Sequence, residues 1–214
     1  MQLELKQLII PPGNVLQLKD ISWQMFEQIL DELGESRAAR VSYSKEFLEI
    51  MAPLPEHEDD KAIIGDFVKA ILEQMDIEFR DLGSTTFKKK NMSQGVEADT
   101  CFYIQNEAAI RGKKKIDLTV DPPPDLAIEI DITSRTALNN YEALGVTELW
   151  RYNGQRLQIN VLQDGKYIES ENSRIFSQFS QLREVIHRYV EESKVVGRNA
   201  TMKAFKNWVR AIVN

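Results

Sequence analysis

Apolar side chains recur at intervals of three and four residues in several parts of the chain, a spacing typical of amphipathic helices. The clearest of these stripes runs from Ile63 to Met75. An earlier stripe follows Asp20 and Ser22, either of which could cap a helix, and ends before Gly34, a residue favoured just past a helix C-terminus. The pattern predicts helices over approximately residues 25–33, 59–75, 136–144, 178–192 and 199–213.

Other stretches favour strands, because β-branched and aromatic residues alternate with polar ones or form short apolar runs. Two runs flank Ser44-Lys45-Glu46 within residues 40–51, and two more flank Asp164-Gly165 within residues 156–171, so both pairs predict hairpins. Longer runs predict strands over residues 77–90, 96–104, 125–133 and 148–152.

The order of these elements predicts a mixed α/β (α+β) fold, in which helices flank a mixed β-sheet. At 214 residues, the length favours a single domain over residues 1–214. The chain breaker Pro11-Pro12-Gly13 predicts an N-terminal arm over residues 1–19, and the last two helices predict a C-terminal helical extension over residues 173–214.

Composition narrows the class of protein. Hydrophobic residues make up 43% of the chain and charged residues 28%, as in an ordinary globular protein. The single cysteine, Cys101, excludes a disulfide framework and favours a cytoplasmic location. No run approaches the roughly 18 apolar residues of a membrane span, so we expect no membrane partner. The chain has no C-x-x-C pair and no phosphate-binding glycine loop, which argues against zinc fingers and nucleotide hydrolases.

Carboxylates line one face of the predicted strand 125–133. Because side chains alternate along a strand, Asp125, Glu129 and Asp131 would face one way, and the apolar Leu126, Ile128, Ile130 and Ile132 the other. Clustered carboxylates repel one another, and burying them is costly without a cation. A divalent metal would compensate, since hard cations prefer oxygen ligands. Asp125 follows three prolines and is better explained as the cap of a turn.

A second acidic strand is predicted over residues 96–104. Glu97, Asp99, Cys101 and Tyr103 would share one of its faces. If this strand neighbours that of Glu129, Asp99 lies beside Glu129 across the sheet. Two such carboxylates, with waters completing the octahedron, would suit Mg²⁺, which lowers the pKa of a bound water and stabilises charge on a phosphoryl oxygen.

Three motifs, Gly95–Ile104, Pro123–Ser134 and Tyr141–Tyr152, carry a resemblance to a known family. In this order they resemble the bacterial Uma2-type family of restriction endonucleases, within the PD-(D/E)XK nuclease superfamily, and the likeness extends from about residue 20 to about residue 170. The resemblance implies a restriction-endonuclease-like core and an endonuclease that acts on DNA and depends on Mg²⁺, with Mn²⁺ as a substitute.

Carried over residue by residue, the resemblance makes Asp99 the first catalytic acid and Glu129 the (D/E) acid, both as metal ligands. The superfamily expects lysine two positions after Glu129, where this chain has Asp131. No lysine occurs between Ile116 and Gly165. Asp131 would then orient water or bind a metal ion, or it would cap the helix that follows.

Other side chains could support the site. Arg135 could contribute positive charge, although a guanidinium cannot serve as a base. Lys89, with its neighbours Lys88 and Lys90, could supply the missing amine, and so could Lys113–Lys115. His57 precedes the second predicted helix and could approach the acids, although a histidine at such a position is more often incidental.

Two functions follow from these features. The first is a metal-dependent endodeoxyribonuclease, for which RNA is an alternative substrate. The second is a catalytically impaired nuclease-fold protein that serves as a nucleic-acid-binding or assembly module, which the missing lysine favours. We expect a homodimer, because cutting both strands of a duplex usually takes two sites and two-fold symmetry is the commonest assembly.

The net charge of −6 is unevenly distributed. Residues 116–172 carry 4 basic and 10 acidic side chains, whereas residues 78–115 carry 8 and 5, and residues 173–214 carry 8 and 3. The negative total argues against a protein that coats nucleic acid. The basic segments would still allow contacts with phosphates beside an acidic metal site.

Overall fold

The computed structural model describes residues 7–34, 39–89, 94–132 and 138–213. Eleven strands and six helices lie within these ranges. The strands are β1 (Val15–Leu18), β2 (Arg40–Ser44), β3 (Phe47–Met51), β4 (Arg80–Asp81), β5 (Thr86–Lys89), β6 (Gln94–Glu97), β7 (Thr100–Tyr103), β8 (Leu126–Ile130), β9 (Glu148–Tyr152), β10 (Leu157–Gln163) and β11 (Lys166–Ser170). The helices are α1 (Trp23–Leu33), α2 (Pro55–Gln74), α3 (Glu107–Ile110), α4 (Leu138–Leu144), α5 (Leu182–Val196) and α6 (Arg198–Val213).

The strands form two open sheets. The first is antiparallel, in the order β1-β3-β2-β6-β5, and the second is mixed, in the order β11-β10-β9-β8-β7-β4. In the second sheet β8 and β9 are parallel, and the other pairs are antiparallel. These sheets and their flanking helices confirm the mixed α+β class and are consistent with a restriction-endonuclease-like fold.

Helix α1 packs on the first sheet through an aromatic cluster. Ser22 caps the helix by accepting a hydrogen bond from the backbone N–H of Met25 at 3.2 Å, as expected of a serine N-cap. The ring of Phe26 stacks on Tyr43 of β2, with centroids 4.5 Å apart. Gly95 of β6 lies under the same ring, and a β-carbon at this position would approach Phe26 to 2.6 Å.

The centre of the second sheet is buried on both faces. Every residue of β8 and β9 is buried. Helices α2, α5 and α6 contribute to the apolar core on one face, where Phe67, Val190 and Phe205 pack with Ile128. On the other face Ala127 packs with Tyr141 of α4 and with Val96 of the first sheet. The alternation expected for the strand of Glu129 is therefore present.

Several element boundaries differ from those predicted. Helix α2 begins at Pro55 and not near residue 59, because proline is well suited to the first helical turn. The predicted strand 77–90 is divided into β4 and β5 around Gly83, whose φ of +55° is incompatible with a continuous strand. The predicted strand 96–104 is divided into β6 and β7, which belong to different sheets.

The ends of the chain are integrated with these sheets. Strand β1, within the predicted N-terminal arm, pairs with β3, and helices α5 and α6 add Ile186 and Phe205 to the core beside the second sheet. The division into an arm, a domain and an extension stays a prediction. Among the residues described, no helix combines the length and the apolar character needed to cross a membrane.

Candidate active site

Asp99 and Glu129 lie side by side where the chain passes from the first sheet to the second. Strands β7 and β8 pair in antiparallel register, with Thr100 opposite Ile128. Continuing this register by one residue places Asp99 opposite Glu129. The carboxylate of Asp99 accepts a hydrogen bond from the backbone N–H of Ile130 at 2.7 Å. Both acids line one cleft between the sheets.

Asp99 is held from both sides by positively charged or polar side chains. The Nε atom of Arg40 lies 3.1 Å from Oδ1, and the Nε2 atom of His57 lies 3.3 Å from Oδ2. Burial raises the pKa of Asp99, but contact with His57 and the charge of Arg40 outweigh burial, so the pKa is below its ordinary value. Asp99 is therefore an ionised carboxylate although only 2% of its side chain is exposed.

Arg40 was not recognised from the sequence, yet it makes several hydrogen bonds within the site. One of its terminal nitrogens donates to Ser84 Oγ at 2.6 Å and to the carbonyl of Ala98 at 3.1 Å, and the other donates to Glu58 at 3.1 Å. These bonds fix the guanidinium beside Asp99. Arginine remains charged at all physiological pH values, so Arg40 supplies a permanent positive charge to the cleft.

Glu129 has a different environment. It is buried, and the hydroxyl of Tyr141, on α4, donates a hydrogen bond to its Oε1 atom. Burial and the neighbouring charge of Asp99 raise the pKa of Glu129 well above its ordinary value. Tyr141 was also missed, although it opens the third sequence motif, because its contact with Glu129 depends on how α4 packs over the sheet.

The cleft is predominantly acidic. Among the described residues that line it, Glu49, Glu97, Asp99 and Glu129 are acidic, and Arg40 is basic. No group of three or more histidine, cysteine or acidic side chains in the described residues is arranged as a metal site. Magnesium is commonly held by only one or two carboxylates together with waters, and each carboxylate oxygen carries two lone pairs. Asp99 and Glu129 fit this donor set.

Comparison with known proteins identifies the family of this chain. The model of the Uma2 family, described as "Putative restriction endonuclease", matches residues 23–188, more than three quarters of the chain. The chain belongs to the Uma2 family. Membership in the Uma2 family indicates a nuclease-like function. A search of curated proteins found no match.

Of the remaining residues suggested for the site, His57 contacts Asp99, and the other described ones have partners or positions outside the Asp99–Glu129 pair. Asp131 follows β8, and its Oδ2 atom accepts a hydrogen bond from the Nε atom of Arg151 at 2.7 Å. His57 lies in the first turn of α2 and reaches Asp99, because α2 begins earlier than predicted. Lys89 ends β5 in the first sheet, Lys113 pairs with Asp121, and Arg135 lies outside the described residues.

Asp125 has the structural role that its sequence context suggested. Its Oδ2 atom accepts hydrogen bonds from the backbone N–H groups of Ile104 at 2.7 Å and Asn106 at 3.0 Å. The carboxylate thus caps the turn after β7, at the opposite end of that strand from Asp99. This confirms the interpretation of Asp125 as a turn cap.

Proposed function

We propose that this protein is a Mg²⁺-dependent endonuclease that hydrolyses phosphodiester bonds in DNA. The observation that carries the proposal is the juxtaposition of Asp99 and Glu129, which come from neighbouring strands and line one cleft. Membership in the Uma2 family supports the same function independently of this geometry.

In this proposal Asp99 and Glu129 hold the metal. When bound, Mg²⁺ supplies a Lewis acid for the phosphoryl oxygen and a bound water of lowered pKa. Arg40 and His57 orient the carboxylate of Asp99, and Tyr141 orients that of Glu129. Such supporting partners set the direction of ligand lone pairs, and their loss typically lowers metal affinity or activity by about 10–100-fold.

The chain has aspartate where the superfamily has lysine, so we assign no lysine base to the reaction. Arg40 is the basic residue among the described side chains that line the cleft, and its charge would stabilise the negative charge of the phosphate. Asp131 stays a candidate for orienting water. The catalytic roles of Lys89 and Arg135 remain predictions.

Duplex cleavage would require two copies of this site, so we propose a homodimer as the active assembly. Sedimentation velocity of the full chain at micromolar concentration distinguishes a dimer of about twice 24.6 kDa from a monomer. A monomer that cuts both strands of a duplex would contradict the dimer but not the nuclease.

The second candidate is a nuclease-fold protein with impaired catalysis. One observation specifically favours this candidate: both carboxylate oxygens of Asp99 already have partners in Arg40, His57 and the N–H of Ile130. Such a protein would bind nucleic acid or assemble with other proteins without cutting.

Cleavage of supercoiled plasmid DNA in Mg²⁺ or Mn²⁺ tests the proposal. We expect the wild type to nick or linearise the plasmid, and Asp99→Asn and Glu129→Gln each to lower the rate by at least about 100-fold, since loss of metal-based stabilisation costs several kcal/mol. Glu184→Gln, an exposed substitution on α5, is the matched control and should cleave at the wild-type rate.

Absence of cleavage by the folded wild type, on DNA and on RNA of varied sequence, would favour the impaired protein. If both the Asp99→Asn and the Glu129→Gln variants still cleave DNA, the active site does not include these acids.

A further inference from the structure

A row of polar side chains crosses four adjacent strands on one face of the second sheet. Glu129 of β8 lies opposite Arg151 of β9, which lies opposite Gln158 of β10, and Asp99 precedes β7 on the other side of Glu129. Side chains at directly opposed positions project from the same face of a sheet. Neighbouring strands are about 4.8 Å apart, so Arg151 lies one strand from Glu129 and two from Asp99.

Arg151 and the residues around it form a second cleft at the end of this row. Its lining residues are Asp131, Arg151, Asn153, Arg156 and Gln158, and we call it the Arg151 cleft. Arg151 and Arg156 give it two positive charges against one negative charge of Asp131. This sign is opposite to that of the neighbouring cleft of Asp99 and Glu129, which is mostly acidic.

One nitrogen of the Arg151 guanidinium takes no part in the ion pair with Asp131. Its Nε and one terminal nitrogen contact the Asp131 carboxylate, whereas the Nη1 atom is buried and has no hydrogen-bond partner among the described residues. Only 5% of the side chain is exposed. Buried donors are almost always satisfied, by protein, water or ligand, so an unsatisfied guanidinium nitrogen beside a cleft requires an explanation.

Arg156 provides a second, accessible guanidinium. Its side chain is 64% exposed and lies in the turn between β9 and β10, and its Nη1 atom is 4.0 Å from Oε1 of Glu169, an oxygen that Arg183 approaches more closely, at 3.6 Å. The Oδ1 atom of Asn153 accepts hydrogen bonds from the backbone N–H groups of Gln155 at 3.0 Å and Arg156 at 2.9 Å, which hold this turn at the edge of the cleft.

We propose that the Arg151 cleft binds a phosphate group of a nucleic-acid strand whose neighbouring phosphodiester lies at Asp99 and Glu129. Planar guanidinium groups bind phosphate oxygens through paired, charge-assisted hydrogen bonds. A small rotation of Arg151 toward the cleft would bring Nη1 to a phosphate oxygen, and Arg156 would contact the same group from the solvent side. The subsite deepens the proposed nuclease function and rests on it.

The salt dependence of DNA binding, measured by fluorescence anisotropy with a labelled duplex in EDTA, tests this subsite apart from cleavage. Removing one phosphate-binding side chain should make the slope of log Kobs against log salt shallower by about 0.9. We expect this shallower slope for Arg156→Gln. Arg111→Gln, an arginine of similar exposure (63%) that follows α3 beyond the opposite end of β7, should keep the wild-type slope.

Arg151→Gln alone would leave the Asp131 carboxylate without its ion pair, so the informative variant is Asp131→Asn/Arg151→Gln. This double substitution keeps the net charge unchanged while it removes the guanidinium. A specific phosphate contact predicts a weaker complex and a shallower slope, with the thermal unfolding midpoint showing that the protein remains folded. Binding through bulk charge predicts no change, and that result would overturn the subsite.

Inorganic phosphate distinguishes the two sources of the same chemical group. If phosphate binds to the wild type by calorimetry and not to Arg156→Gln, while DNA binding is equal in both, the cleft takes free phosphate and the nucleic-acid assignment is wrong. If the wild type cleaves DNA but neither variant changes the slope, the subsite alone is overturned. A wild type that neither binds nor cleaves nucleic acid would overturn the nuclease as well.

Discussion

At the scale of single residues, access to a cleft separates a structural acid from the candidate metal ligands. Asp125 accepts two backbone N–H groups after β7, whereas Asp99 and Glu129 line the acidic cleft. All three acids are similarly buried. Only Asp99 and Glu129 share a space that a ligand can enter, which is why we propose them, and not Asp125, as metal ligands.

Asp125→Ala should therefore destabilise the fold without weakening metal binding. It leaves two backbone donors unpaired, at a cost of about 2–4 kcal/mol in the free energy of unfolding. Urea unfolding gives the stability and calorimetry gives the metal affinity. Asp31→Ala, on the exposed face of α1, is the control and should change neither. Loss of metal binding in a folded Asp125→Ala variant would make this residue part of the metal site.

Tyr141→Phe should weaken divalent metal binding, because the hydroxyl orients the carboxylate of Glu129. Loss of an outer-shell partner typically costs about 10–100-fold in metal affinity. Tyr103→Phe is the matched control, since it also removes one phenol hydrogen bond, to the carbonyl of Pro122, away from the acids. Equal metal affinity in the two variants would mean that Tyr141 only packs.

Sequence alternation predicted the directions of Asp99 and Glu129, because side-chain direction in a strand has a fixed period of two, but it paired them only on the condition that their strands are neighbours. Arg40 and Tyr141 could not be found in this way. Arg40 reaches Asp99 from β2 of the other sheet, and Tyr141 reaches Glu129 from a helix, so both contacts depend on tertiary packing. A periodic pattern carries no information about which elements meet.

At the scale of elements, two of the boundaries that differ from expectation build the site. Asp99 lies at the break between β6 and β7, and His57 lies in the first turn of α2, which begins at Pro55. Strand periodicity did not reveal the break, because alternation continues through it. Strand β9, whose residues are all buried, was predicted with its observed bounds.

The contact between α1 and β6 gives an element-scale prediction. Gly95→Ala should lower the free energy of unfolding by about 1–3 kcal/mol, since the new methyl group would meet the stacked ring of Phe26. Gly65→Ala is the matched control in the interior of α2, where the new β-carbon would lie 3.9 Å from Thr100 Cγ2. It should stabilise by up to about 1 kcal/mol through helix propensity. Equal effects in urea unfolding would contradict the close approach of α1 to β6.

At the scale of the whole molecule, the C-terminal helices belong to the core beside the second sheet. Phe205 of α6 contacts Phe67 of α2, with ring centroids 4.3 Å apart, and is fully buried. Phe205→Ala should cost about 3–5 kcal/mol. Phe47→Ala, at a residue 60% exposed, should stay within about 0.5 kcal/mol of the wild type. A small effect of Phe205→Ala in urea unfolding would make α6 a peripheral appendage.

The folded structure shows where the acidic and basic side chains lie relative to one another. Glu129 of the acidic cleft and Arg151 of the Arg151 cleft are directly opposed on neighbouring strands of the second sheet, so an acidic and a basic region adjoin there. The net charge of −6 does not reveal this arrangement, because it is a sum over the whole chain.

We propose that Asp99 and Glu129 together hold one divalent cation. Calorimetric titration of Mn²⁺ into the full chain, beside Asp99→Asn and Glu129→Gln, tests it most directly. We predict saturable binding to the wild type that either substitution abolishes, with folding retained in both. A wild type that takes up no metal, or a Glu129→Gln variant that binds Mn²⁺ as tightly as the wild type, would contradict the account.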